Sequence, residues 1–290
     1  YWPPQYVIMD GETLEPLKIV STRGNVYDVS GPTTEPRVAA IAASHDDPLW
    51  VMALKESGFV GLIDYSHPDG PLVSTIATER FLHDGGWDHS GRYLLLAANA
   101  SNKMVAVDVA SKSMAASFTT GGTPHPGRGA NWFDPVYGWV NASPHIGEPK
   151  VSIYGADPVG RPDVAWTVVR EITLPSAGSL FLKTHPNSAN PWVLFDMTLS
   201  TDPTSDKQMC AYNKETAGYA VATLDRCFQV ATNQGKATHF EFNQAGTEVW
   251  VSDWANDGKE SAVIVLDGTT LGTRKIHRIT GSDTPTGKFN

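Results

Sequence analysis

The chain has 290 residues, 41% of them hydrophobic and 18% charged, with a net charge of −9. That composition belongs to a globular protein and excludes a disordered one. No apolar run approaches the roughly 18 residues of a membrane-spanning helix, and the acidic balance argues against a nucleic-acid surface, which needs a clustered basic face. An anionic ligand must therefore be drawn in locally, by individually placed arginines and histidines. The chain opens on Tyr1-Trp2-Pro3-Pro4 without an initiator methionine and stops at Lys288-Phe289-Asn290. We expect both ends to continue into a longer protein.

Taken in order, the chain repeats one strand grammar. Val7-Ile8-Met9-Asp10-Gly11 ends a short β run, and a polar turn leads to a second run, Leu17-Lys18-Ile19-Val20. The pattern returns at Val60–Asp64, Met104–Asp108 and Ala262–Asp267, with weaker copies at Val151–Gly155 and Cys210–Asn213. With Asp10, Asp64, Asp108, Gly155, Asn213 and Asp267 as markers, the steps are 54, 44, 47, 58 and 54 residues. Repeats near this length, each holding about four short strands, are the signature of propeller blades. Further β-rich runs, Arg92–Ala97, Pro191–Phe195 and Glu248–Ser252, each follow a turn built on Gly, Asn or Ser. No stretch shows capped helical periodicity. The expected fold is all-β: a partial, open β-propeller of about five to six blades. Its two cysteines, Cys210 and Cys227, are equally compatible with one bridge and with two thiols.

Candidate chemistry lies where the repeats open. The most distinctive stretch is Pro124-His125-Pro126-Gly127-Arg128-Gly129-Ala130-Asn131. Two prolines fix the backbone on either side of His125 and keep it out of a central strand. The glycines permit close approach of a flat ligand, and Arg128 adds a planar donor fork. The comparable stretches are Phe81–Asp88, Gly178–Pro186 and Thr238–Asn243, read here as loops. Histidines recur in them at His83 and His239, and His83 precedes His125 by 42 residues, about one repeat. Phe181, one repeat further on, offers an aromatic wall. His45, His67, His89 and His277 read as surface residues, His145 and His185 as loop braces, and Trp250 and Trp254 as blade core. A zinc site built from His83, His125 and His239 has no short-range ligand spacing behind it.

These stretches carry a resemblance. Tyr1-Trp2-Pro3-Pro4-Gln5, Glu35–Ala40, Leu82–Asp88, Pro124–Asn131, Lys183-Thr184-His185-Pro186 and Thr284–Asn290 resemble the d1-haem domain of the cytochrome cd1 nitrite reductases, an eight-bladed propeller. The match runs along the whole chain and is poorest between about Ser200 and His239. It implies that residues 1–290 are a fragment of a d1-haem-binding propeller domain, with upstream blades and a cytochrome c domain carrying haem c outside the chain. It also implies the one-electron reduction of nitrite to nitric oxide in denitrification. His83 and His125 would be the distal catalytic histidines, and Arg128 would meet the macrocycle's carboxylates. Tyr1, Phe181, Thr286 and Gly287 would line the cofactor pocket. His239 would stand beside the macrocycle where the family usually has glutamine. No metal ligand is expected in this stretch, since the proximal iron ligand would lie upstream. The family context implies a periplasmic homodimer served by a c-type cytochrome or a cupredoxin. The alternatives are a d1-haem biosynthesis paralogue and a non-catalytic propeller platform.

Overall fold

The computed structural model describes residues 2–33, 35–67, 71–186, 189–215, 224–232, 235–255 and 260–279. The chain divides into two compact units, residues 1–119 and 120–290. In the first, β1 (Gln5–Met9) pairs with β2 (Pro16–Ser21) and β3 (Gly24–Asn25) with β4 (Pro32–Thr33). Two four-stranded antiparallel meanders follow. One is β5 (Val38–Ala43), β6 (Leu49–Leu54), β7 (Phe59–Asp64) and β8 (Leu72–Ala77). The other is β9 (Leu82–Trp87), β10 (Tyr93–Ala98), β11 (Lys103–Asp108) and β12 (Ser113–Thr119).

The second unit holds three more meanders. They are β13 (Trp132–Asp134) to β16 (Val168–Thr173) through β14 (Gly138–Pro144) and β15 (Lys150–Gly155); β17 (Leu182–Thr184), β18 (Trp192–Asp196), β19 (Gln208–Asn213) and β20 (Arg226–Gln229); and β21 (Gly235–Phe242), β22 (Glu248–Ala255), β23 (Ser261–Asp267) and β24 (Thr273–Ile279). Five four-stranded sheets of this kind, each in strict sequence order, are propeller blades. Among the described residues there is no α-helix, only two short 3₁₀ turns, and no helix that is long and apolar enough to cross a membrane.

The repeat markers have a single physical meaning. Asp64, Asp108, Gly155, Asn213 and Asp267 are each the last residue of the third strand of a blade, and Asp10 follows β1 in the equivalent hairpin. The side chains then close the turn to the outer strand. Asp10 Oδ1 accepts the N–H groups of Glu12 and Thr13, Asp108 Oδ1 those of Ala110 and Ser111, and Asp267 Oδ1 those of Thr269 and Thr270. Such Asx turns mimic a backbone turn locally, which is why the marker recurs with the blade. Gly155 replaces the aspartate because its strand meets Ala165 in an isolated parallel bridge. A Cβ there would lie 2.3 Å from the Val164 carbonyl oxygen.

Blade packing follows the period of two. On β18, Val193 and Phe195 join Trp132, Val140 and Ile153 in one core, while Trp192 and Leu194 join Phe240, Val251 and Ile264 in the next. A strand buried on both faces reads as a continuous apolar run, and Tyr93-Leu94-Leu95-Leu96-Ala97-Ala98 on β10 is entirely buried. The outer strand is the opposite. Thr273-Arg274-Lys275-Ile276-His277-Arg278 of β24 is exposed and charged, the composition that keeps a sheet edge from pairing with another chain. In the first unit, Val51, Val60 and Leu62 of one blade pack on Leu94, Leu96 and Val105 of the other.

Two expectations need correction. Phe81–Asp88 and Thr238–Asn243 are not loops: they coincide largely with β9 and β21. Each of these strands carries a bulge three pairs in from its junction with the second strand. In β9, His83 and Asp84 together oppose the single residue Ala97, and in β21 His239 is the extra residue. A bulge re-aims a side chain without ending the strand. The 42-residue step from His83 to His125 therefore does not mark equivalent positions. His125 lies in the connection between β12 and β13. The surface histidines are as expected, with His45, His67, His89 and His277 all exposed. The cysteines are bridged: Cys210 and Cys227 face each other across β19 and β20.

Candidate functional site

The second unit collects most of the candidate residues. Its centre is the connection that holds His125. Pro124 bridges to His145, the His125 N–H donates to the Pro144 carbonyl at 3.0 Å, and the Gly129 N–H closes a turn onto the Pro126 carbonyl at 2.8 Å. Gly127 has φ +59°, and a Cβ there would lie 2.7 Å from Phe181 Cδ1, so only glycine lets the loop lie this close to that ring. His145 supports the loop from below. It is fully buried and its Nδ1 donates to the Lys150 carbonyl at 3.1 Å. Burial pushes its pKa down to about 4, so it stays neutral and braces, as its sequence context suggests.

His125 itself is only 7% exposed. Its Nδ1 lies 2.7 Å from the Leu180 carbonyl oxygen. A carbonyl can only accept, so Nδ1 carries the hydrogen and the ring's protonation can change only at Nε2. The Phe181 ring meets the imidazole edge-on at 5.6 Å. Phe181 then lies 4.2 Å from the His239 ring, and His239 lies 5.3 Å from Trp254. Phe181, His239 and Trp254 are all partly exposed. His239 reaches this position through a φ of +44°, an uncommon conformation for a non-glycine residue and one that a bulge can hold. Arg128, next to Gly127, is exposed. The arrangement is a half-open aromatic surface with one fixed imidazole and a cation on the same loop.

The first unit contributes His83. It is half-buried in the β9 bulge, with Nδ1 2.7 Å from Asp84 Oδ1. The carboxylate orients the ring through Nδ1, as the Leu180 carbonyl does for His125. Tyr1, Thr286 and Gly287 lie outside the described residues. Two participants escaped the sequence reading. Trp254 is half-exposed against His239 rather than core, and Asp196 underlies the Leu180–Phe181 segment. The alternation of β22 was the one signal for Trp254, since it puts Trp254 on the face opposite Asp253.

A family model described as the cytochrome D1 heme domain matches residues 1–290. The chain belongs to the cytochrome d1 haem domain family. It is 41% identical over 304 aligned positions to a nitrite reductase of Stutzerimonas stutzeri, an alignment that covers 100% of this chain and 53% of that protein. Among solved structures it resembles a dihydro-heme d1 dehydrogenase, NirN, in complex with DHE, at 22% identity and TM-score 0.73, covering 96% of this chain and 53% of the other. Hydrazine synthase of Kuenenia stuttgartiensis shares the fold at 12% identity and TM-score 0.67, covering 90% and 71%. The d1 domain thus has the propeller fold, and the chain spans about half the length of the nitrite reductase it matches.

The residues present fit the family's cofactor. A d1 haem is a flat macrocycle bearing carboxylates, which calls for aromatic walls, close backbone approach and fixed cations. Phe181, His239 and Trp254 offer the walls, Gly127 the approach and Arg128 the cation.

Proposed function

We propose that this d1 haem domain is the catalytic part of a nitrite reductase that converts nitrite to nitric oxide in denitrification. The reaction takes one electron and two protons and releases one water. The observation that carries the reading is the orientation of His125: a buried imidazole whose Nδ1–H is fixed on a carbonyl can hold or pass a proton only at Nε2. The 41% identity to a nitrite reductase along the entire chain supports it. When bound, the d1 haem supplies the electron and the iron at which nitrite binds.

The protein's own part is proton delivery and anion binding. Histidine is the side chain whose charge changes near neutral pH, and as imidazolium it both holds an anion and donates to it. His125 and His83 are the proposed donors, each through Nε2, and two are needed because one histidine cannot deliver both protons without being recharged. Arg128 pairs with a macrocycle carboxylate, and Phe181 and His239 pack beside the ring. Tyr1, Thr286 and Gly287 complete the cofactor's surroundings in this reading. In the whole protein a cytochrome c domain with haem c passes electrons from a c-type cytochrome or cupredoxin, in a periplasmic homodimer.

The test is nitrite turnover by the complete, d1-loaded protein. His125→Ala and His83→Ala should each slow it by about 10²-fold, the scale of a lost general acid. Wild-type rates in both variants would end the assignment. A second reading is a d1-haem biosynthesis protein, in which His239 would replace the glutamine that the resemblance to the nitrite reductases implies. A purified protein that oxidises a dihydro-d1 precursor but does not turn over nitrite would establish that reading instead.

A further inference from the structure

Asp196, the last residue of β18, is completely buried, and no part of the mechanism above uses it. Its Oδ1 accepts the N–H groups of Leu180 at 2.7 Å and Phe181 at 3.1 Å, and the Ser179 hydroxyl at 3.3 Å. The Phe181 N–H belongs to the same peptide group as the Leu180 carbonyl, and that carbonyl receives the His125 Nδ1–H at 2.7 Å. A carboxylate therefore sits at one end of a single peptide and an imidazole at the other. Negative charge on the N–H side polarises a peptide and makes its carbonyl a stronger acceptor. We propose that Asp196 is a positioning residue for His125, acting through the Leu180–Phe181 peptide to hold the imidazole in its Nδ1–H form. This rests on the reading of His125 as a proton donor.

The second oxygen adds detail. Thr198 Oγ1 lies 3.0 Å from Asp196 Oδ2 and 2.7 Å from the Ala237 carbonyl oxygen. A hydroxyl has one hydrogen, and the Ala237 carbonyl can only accept. When Thr198 donates to Ala237, Oδ2 is satisfied by carrying a proton and donating it to Oγ1. When Asp196 is ionised, Thr198 turns its hydrogen to Oδ2 instead. Both protonation states are thus accommodated without moving a heavy atom. Burial pushes the carboxyl up to about 7, against the opposing N–H bonds from Leu180 and Phe181. The arrangement resembles the orienting carboxylate of a catalytic histidine, with one peptide inserted between the two groups.

The experiment uses the full-length protein and the substitution Asp196→Asn. Asparagine keeps an acceptor oxygen for the peptide and an N–H for Thr198 Oγ1, but removes the negative charge. In the d1-loaded enzyme it should lower nitrite turnover about 5- to 30-fold, the range of coupling between hydrogen-bonded neighbours. In a His125→Ala background the same change should have no effect. In full-length chain labelled with ¹⁵N in its histidine rings, the His125 Nδ1–H signal should move upfield in Asp196→Asn. Thr198→Val, which strips the hydroxyl from Oδ2 and keeps the shape, should move the same signal by less and decides the matter if Asp196→Asn does not fold. An equal loss of turnover in both backgrounds, or a His125 signal unmoved in either variant, would overturn the proposal. If His125→Ala alone turned over nitrite at the wild-type rate, the reading of His125 would fail, and the ring signal by itself would then decide whether Asp196 positions it.

Discussion

Replacing Gly127 with alanine tests whether the His125 loop is held by backbone conformation and by the Phe181 ring together. Gly127 has φ +59°, and an L-residue pays about 1–2 kcal/mol in that region. The new Cβ would also stand 2.7 Å from Phe181 Cδ1, well inside ordinary contact. Phe181 has little freedom to yield, since its ring is set against His125 at 5.6 Å and His239 at 4.2 Å, and its N–H is tied to Asp196. Overpacking of this kind costs about 1–3 kcal/mol. The sum predicts a loss of about 2–5 kcal/mol in denaturant unfolding. In a Phe181→Ala background the ring contact is gone, and the same Gly127→Ala change should cost only the backbone part, about 1–2 kcal/mol. The assay is equilibrium unfolding of the four proteins of this cycle, followed in the full-length chain. A loss that is the same with and without Phe181 would refute the packing argument. No loss at all would refute the left-handed conformation at Gly127.

Three other outcomes follow from the same geometry. His239→Gln should preserve nitrite reduction in the complete enzyme and change mainly its pH dependence, because an amide cannot take up a proton as imidazole does; a loss as deep as that of His125→Ala would make His239 itself catalytic. Asp108 is held at about 2 by hydrogen bonds from Arg92, with further ones from Ser111. A folded value below the unfolded one means stabilisation that is whole above about pH 5 and lost as pH falls through about 4 to 2. Arg92 is half exposed and screened, so Asp108→Asn should cost about 1 kcal/mol at pH 7 through the ion pair and only a small part of that near pH 2, where about half of Asp108 is already protonated, read from urea unfolding at the two pH values. The Cys210–Cys227 bridge closes a segment with a sequence separation of 17, so the double alanine variant should be less stable by about 3 kcal/mol. Unchanged unfolding after treatment with a thiol reductant would argue against the bridge in the working protein.

The symmetry between the two proposed proton donors has a structural cause that differs at each. His83 is set by a neighbouring carboxylate on its own strand, His125 by a carbonyl from a segment 55 residues away. The first partner is adjacent in sequence and half-exposed, so Asp84→Asn should be tolerated by the fold. The second is a backbone atom that no substitution removes directly, which is why Asp196 is the handle on it.

What the sequence determined by itself was whatever depends on neighbours within a few residues. The aspartates that close blade turns were legible because an Asx turn is made by a side chain and the N–H groups two or three positions on. The doubly buried second strands were legible as unbroken apolar runs, and the prolines and glycines around His125 announced a rigid, closely approached loop. What only the tertiary structure decided was whatever depends on register and on partners far along the chain. His83 and His239 looked like loop residues because a bulge leaves no mark in composition; it is an offset between two strands. Asp196 lies just past the apolar run 191–195, where nothing in the sequence singles it out, and its importance comes from the peptide 15 residues earlier that it accepts from. The cysteine pairing was open for the same reason, since it was the alignment of β19 with β20 that brought Cys210 opposite Cys227. Local hydrogen bonding is written into a short stretch of sequence, whereas cross-strand alignment is chosen by the packing of whole blades, and the proposed proton chemistry depends on both.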